Sequence, residues 1–159
     1  MTNPLQQFFR TVKLYTKIPS GTTYYTDVKF NEDGELGVMP MTAKDELIAK
    51  NPDALLNGEA IVEIIRSCVP GVPNPKTLLS NDIDALMIAI RHATYGDDLA
   101  IHTVCPECEH TNEFAINITQ SLSSMSMLEE DYNVTLSSGV SIHVKPYGFK
   151  ETVKALKAQ

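Results

Sequence analysis

The chain has 159 residues, 43% of them apolar and 21% charged, a composition that suits a folded chain with a sizeable core and excludes bulk disorder. A formal net charge of -7, with no basic cluster, argues against direct binding to DNA or RNA. No apolar run approaches the roughly 20 residues that cross a bilayer, and the opening MTNPLQQFFRTVKLY lacks the apolar stretch of an export signal, so neither a membrane span nor secretion is expected.

Residues 12–18, VKLYTKI, alternate apolar and polar side chains as a half-buried strand does, and Pro19-Ser20-Gly21 stops them. Residues 22–30, TTYYTDVKF, are β-branched and aromatic and predict a second strand. The turn signal Asn31-Glu32-Asp33-Gly34 leads into a short third strand over 36–39. The expectation here is a small β-meander. Aromatic residues gather in the same region: Phe8, Phe9, Tyr15, Tyr24, Tyr25 and Phe30. Residues 3–9, ahead of the first strand, suit docking on a neighbour as well as packing on the chain's own sheet.

Helices follow. Thr42 caps a first helix, with Asp45 at the reciprocal position of a capping box. Asn51-Pro52-Asp53 repeats the logic, a cap followed by proline at the first helical position, and Asn57-Gly58 ends that short helix. From Glu59, residues Ile61, Ile64, Ile65 and Cys68 fall on one face of a third helix, which Pro70 stops. PGVPNPK, residues 70–76, is a stiff connector. Ser80 is positioned to cap the longest helix, with Asp82 and Asp84 in a first turn that favours negative charge. Ile83, Leu86, Met87 and Ile90 line one face, and Gly96 is its stop.

The last third returns to strands. LAIHTV (99–104) and EFAINIT (113–119) flank a Cys-x-x-Cys knuckle, and NVTL (133–136) and VSIHV (140–144) flank the hairpin signal Ser137-Ser138-Gly139. SLSSMSMLEED between them predicts a short helix. Residues 149–159 are rich in helix formers without a terminal cap, and the expectation is either a truncation of something longer or a C-terminus that orders only on a partner. The whole reads as one α+β domain over 1–159: strands over 9–40, helices over 42–96, knuckle and hairpin over 98–146, and a helical tail over 147–159.

Only the knuckle has chemical content. Cys105 and Cys108, on a turn between strands, are half of a zinc-ribbon site, because this spacing lets both thiolates reach one ion. Four ligands are needed and no second Cys-x-x-Cys is present. Cys105, Cys108 and His110 form the candidate metal set, with His102 and His143 as further donors. The plain alternative, a β-turn that keeps two cysteines without metal, carries more weight. A thioredoxin-like redox role fits less well, since that motif opens a helix in a βαβ setting. Cys68 with His92 as base is conceivable, but a small apolar residue on a buried helix face explains Cys68 better. No phosphate-binding glycine loop, nucleophile elbow or His-Glu-x-x-His pattern is present.

The segments FFRTVKLYTKIPSGTTYY, MTAKDELIAKNPDALLNGEAIVEIIRSCVP, DIDALMIAIRHATYGDD and HTVCPECEHTNEF resemble the T4-type baseplate hub family of contractile-tailed phages, over residues 9–146. DALLNG and ATYG carry most of the specificity. The resemblance implies a non-enzymatic hub component or assembly chaperone with no catalytic residues. It implies other phage baseplate or tail proteins as partners, in the virion tail or the infected host cytoplasm. The family's knuckle falls on Cys105 and Cys108, and no cofactor is expected unless a structural zinc binds there. The competing readings are a zinc-knuckle adaptor with a regulatory binding role and a cysteine-dependent enzyme using Cys68 or Cys108. Oligomeric state is not legible in the sequence.

Overall fold

A computed structural model describes residues 10–129 and 131–158. The docking segment expected over residues 3–9, with Phe8 and Phe9, lies outside the described residues. The fold is α+β, with six α-helices and three two-stranded antiparallel sheets among the described residues.

Strand β1 (Leu14–Thr16) pairs with β2 (Leu36–Val38), Leu14 opposite Val38 and Thr16 opposite Leu36. The strand expected over 22–30 does not form, so the meander is corrected to a two-stranded ribbon with a long connection. The reason lies in where that connection's polar groups go. Lys29 N–H donates to the Gly71 carbonyl at 2.8 Å, and the Tyr25 hydroxyl bonds Asp82 and accepts from Leu79 N–H at 2.8 Å. Its apolar residues lid the core instead of pairing: Val28 is buried, and Tyr25 and Phe30 pack against the cluster. Long-range contacts override the local β preference.

Helix α1 (Ala43–Ala49) opens with the expected capping box. Asp45 N–H donates to Thr42 Oγ1 at 3.3 Å, and Thr42 N–H donates to the Asp45 carboxylate at 2.8 Å. Asn51 Oδ1 accepts from Asp53 and Ala54 N–H to cap α2 (Pro52–Leu56). Gly58, at φ 77°, then turns the chain into α3 (Glu59–Cys68). A Cβ there would lie 2.8 Å from Val153 Cγ2 and 2.9 Å from Phe149 Cζ, so both backbone angle and space demand glycine. Helix α3 buries Ala60, Val62, Ile64, Ile65 and Cys68, with Ile61 only partly covered. The connector to the next helix contains a 3-10 turn, Pro75–Thr77.

Helix α4 (Ser80–Tyr95) buries Ile83, Leu86 and Ile90 as expected and stops at Gly96, φ 91°. Ser80 is not its cap: the helix begins on Ser80, Leu79 holds the cap position, and Ser80 Oγ bonds Thr152 Oγ1 instead. Strands β3 (Asp98–Val104) and β4 (Thr111–Asn117) form a hairpin that runs directly into α5 (Ile118–Ser123). The expected strand ending at 119 and helix starting at 121 therefore shift. Asn117 caps α5, Asp97 accepts from Thr119 N–H at 2.7 Å, and these local acceptors draw the chain into a helical turn early. Strands β5 (Tyr132–Thr135) and β6 (Ser141–Val144) form the second hairpin, and α6 (Phe149–Lys157) packs back through Phe149 and Val153.

The core cluster joins Ile18, Leu36 and Val38 to Ile64 and Ile65 of α3 and to Leu86 and Ile90 of α4. No residue of β3, β4, β5 or β6 belongs to that cluster. Among the described residues no helix is long and apolar enough to cross a membrane.

Candidate functional site

The β3–β4 hairpin ends in a tight tip made by Cys105-Pro106-Glu107-Cys108. Cys105 N–H donates to the His110 carbonyl at 2.9 Å, Glu109 N–H donates to the Cys105 carbonyl at 2.9 Å, and Glu109 takes the left-handed conformation, φ 57°. The backbone amides of Cys108 and Glu107, then the Cys108 thiol, hold the Cys105 pKa below the usual thiol value. Cys105 is half-buried and Cys108 exposed, both as free thiols.

This is half of a tetrahedral thiolate set. The His110 side chain is exposed beside the tip, and among the described residues no three histidine, cysteine or acidic side chains form a group able to hold a metal. His102 Nδ1 faces Glu113 at 3.3 Å. His143 lies on the other hairpin, 2.9 Å from Asp131 and 3.1 Å from Asn133. The described residues of one chain therefore supply two ligands and do not make a closed zinc centre. Cys68 is fully buried on α3, and burial pushes its thiol up to about 11, so it stays protonated at neutral pH.

The two C-terminal hairpins share a second property. In β3–β4, Leu99 stands opposite Ile116 and Ile101 opposite Phe114 on one face, while His102–Glu113 and Ala100–Ala115 occupy the other. In β5–β6, Tyr132–Val144 and Val134–Ile142 make an apolar face, backed by the polar pairs Asn133–His143 and Thr135–Ser141. These apolar faces are open: Phe114 is 56% exposed, Ile116 40%, Val134 44% and Val144 42%. A two-stranded hairpin in water is marginal unless something covers its apolar side. Alternation in the sequence located these strands but carried no signal that their apolar faces would be left uncovered.

The chain matches the family described as T4 bacteriophage base plate protein, over residues 10–158. It belongs to that family. No curated protein and no solved structure matches it. The matched stretch takes in the helical body, the knuckle and both hairpins.

Two buried carboxylates hold this base plate family member's body together. Asp82, read from the sequence as a first-turn dipole residue, is fully buried. It accepts from Ser20 N–H at 3.0 Å, from Ser20 Oγ at 2.7 Å and from the Tyr25 hydroxyl, tying the irregular N-terminal connection to α4. Asp45 does the same between α1 and α3. Besides its capping bonds it accepts from Ser67 Oγ at 3.1 Å and lies 3.4 Å from Arg10. Burial alone would raise its pKa; the Thr42 N–H and hydroxyl, then Ser67 and Arg10, outweigh that and hold it below the usual carboxylate value.

Proposed function

We propose that the protein is a non-enzymatic component of phage tail building that binds other hub subunits during base plate assembly, as a permanent subunit or as an assembly chaperone. Membership of the base plate family supports a role in the tail. The observation that carries the binding role is the pair of amphipathic hairpins, whose apolar faces lie outside the core and are open to solvent. Faces of this kind mark interaction sites more often than they decorate a free monomer. The body packs a core of its own, although Leu47, Leu56 and Tyr95 stay exposed on it, and its buried Cys68 thiol is held neutral.

The test is capture of the tagged full chain from phage-infected cells, with mass spectrometry of what accompanies it. Base plate or tail proteins are expected with the wild type and reduced with Phe114→Ser and Ile142→Ser combined. Failure to recover any tail protein would overturn the reading. Mass spectrometry of purified virions then separates its two forms: a permanent subunit is present in stoichiometric amount, a chaperone absent or scarce.

A further inference from the structure

We propose that the groove between α6 and the start of α3 is a docking site for an acidic amphipathic helix of another protein, separate from the two hairpins. The groove has a volume of about 330 Å³ and an apolar floor of Val62, Phe149 and Val153. Its rim is basic: Lys150, Lys154 and Lys157 of α6 and Lys76 of the 3-10 turn all line it. All four are exposed, and among the described residues none of them takes part in an ion pair. One groove thus gathers four of the 13 lysines and arginines of a chain whose net charge is -7. Glu59 is the carboxylate among the lining residues, and it accepts from the Asn57 side chain at 3.4 Å.

The fold alone does not account for these lysines. The helix dipole favours cations in a last turn, which explains Lys154 and Lys157. Lys150 stands in the first turn of α6, where the dipole disfavours a cation, and four residues before Lys154, a like charge on the same face. This arrangement slightly destabilises the free chain, and an anionic segment laid across it relieves the repulsion. Positions 150, 154 and 157 form a narrow stripe that extends about 10 Å along α6. Carboxylates at the same spacing on a second helix recur over the same length, and apolar side chains beside them reach the floor at Phe149 and Val153. That floor selects against nucleic acid, whose phosphates would leave it uncovered, and the overall charge of the chain repels a long polyanion. None of the lining residues lies on β3, β4, β5 or β6, so the site stands independently of the hairpin reading.

The test uses the full chain and a fluorescein-labelled helical peptide with leucine at i, i+3, i+4 and i+7 and glutamate beside them. Binding is followed by fluorescence anisotropy at low and high salt, and its place by amide NMR shifts. Saturable binding is expected, weaker at high salt, with shifts centred on Gly58, Val62 and Val153. Lys150→Gln with Lys154→Gln should weaken it about fivefold or more. Lys44→Gln with Lys50→Gln, at α1 and away from the groove, should leave it unchanged. Phe114→Ser with Ile142→Ser should bind the peptide as wild type does, so failure of this site and failure of the hairpin reading are told apart. No saturable binding, equal binding of a peptide with glutamine for glutamate, or an equal loss in the Lys44 and Lys50 variant would overturn the proposal. So would tighter binding of a single-stranded oligonucleotide of the same charge, which would assign the rim to nucleic acid. Self-association in light scattering that the Lys150 and Lys154 substitutions abolish would overturn it too, assigning the groove to a second copy.

Discussion

Tyr25 has two jobs in one hydroxyl: it donates to the buried Asp82 carboxylate and accepts from Leu79 N–H at the start of α4. Burial first, and Asp82 second, push its pKa well up, so it remains a phenol and keeps donating at any physiological pH. Tyr25→Phe leaves the Leu79 N–H without its acceptor and takes one of two donors from an oxygen of the fully buried Asp82 carboxylate. The expected loss is about 1–3 kcal/mol, read as a lower urea midpoint with an unchanged slope. Asp45 adds a pH signature. Its folded pKa lies below the unfolded one, so its contribution is complete above the unfolded value of about 4 and fades as pH falls through the folded value. Asp45→Asn is therefore expected to destabilise the protein by about 1–3 kcal/mol at pH 7. The gap to wild type should narrow progressively below about pH 4 in a series of denaturation curves. A gap constant across that range would show that the carboxylate's charge is irrelevant there.

At the scale of elements, the helices were legible because their signals are local. The Thr42–Asp45 box, the Asn51 cap and proline, and the Gly58 and Gly96 turns all stand where the sequence put them. The two hairpins were legible for the same reason, since alternation and a turn signal lie within a few residues of each other. Residues 22–30 were not, because β-branched and aromatic side chains suit a strand and a core-covering connection equally, and the decision rests on Asp82 and Gly71, far along the chain. The candidate site divides likewise. The cysteines of the knuckle can be counted in the sequence, but the open faces of the hairpins depend on what the rest of the fold fails to cover. Helix α3 offers the sharpest test of the packing. Ile64 has no exposed surface, and Ile64→Asp would bury an unpaired charge between α3 and the rest of the core. A loss above about 4 kcal/mol, or failure to fold, is expected by thermal denaturation; a melting temperature close to wild type would contradict the assigned face.

Seen whole, the molecule has a dry body and wet appendages. The core draws on β1, β2, α3, α4 and the start of α6, while β3–β4 and β5–β6 lie outside it. Such a division predicts unequal protection in hydrogen exchange. Amides of the two hairpins should exchange well before those of α3 and α4, and should slow on adding whatever partner binds them. Equal protection throughout would mean that the hairpins unfold only with the body. Each of these sheets has two strands, so every strand in them is also an edge, with a row of backbone donors and acceptors facing outward. An open edge does not discriminate: it accepts a strand from the intended neighbour or from a stray copy of itself. Mutual repulsion from the charge of -7 opposes such self-pairing. That protection weakens as salt shortens the screening length to about 8 Å at physiological strength. The consequence is a time limit: a chain of this design is safest when its neighbours are made alongside it, because waiting alone in a crowded cell exposes its edges to fibrous self-pairing.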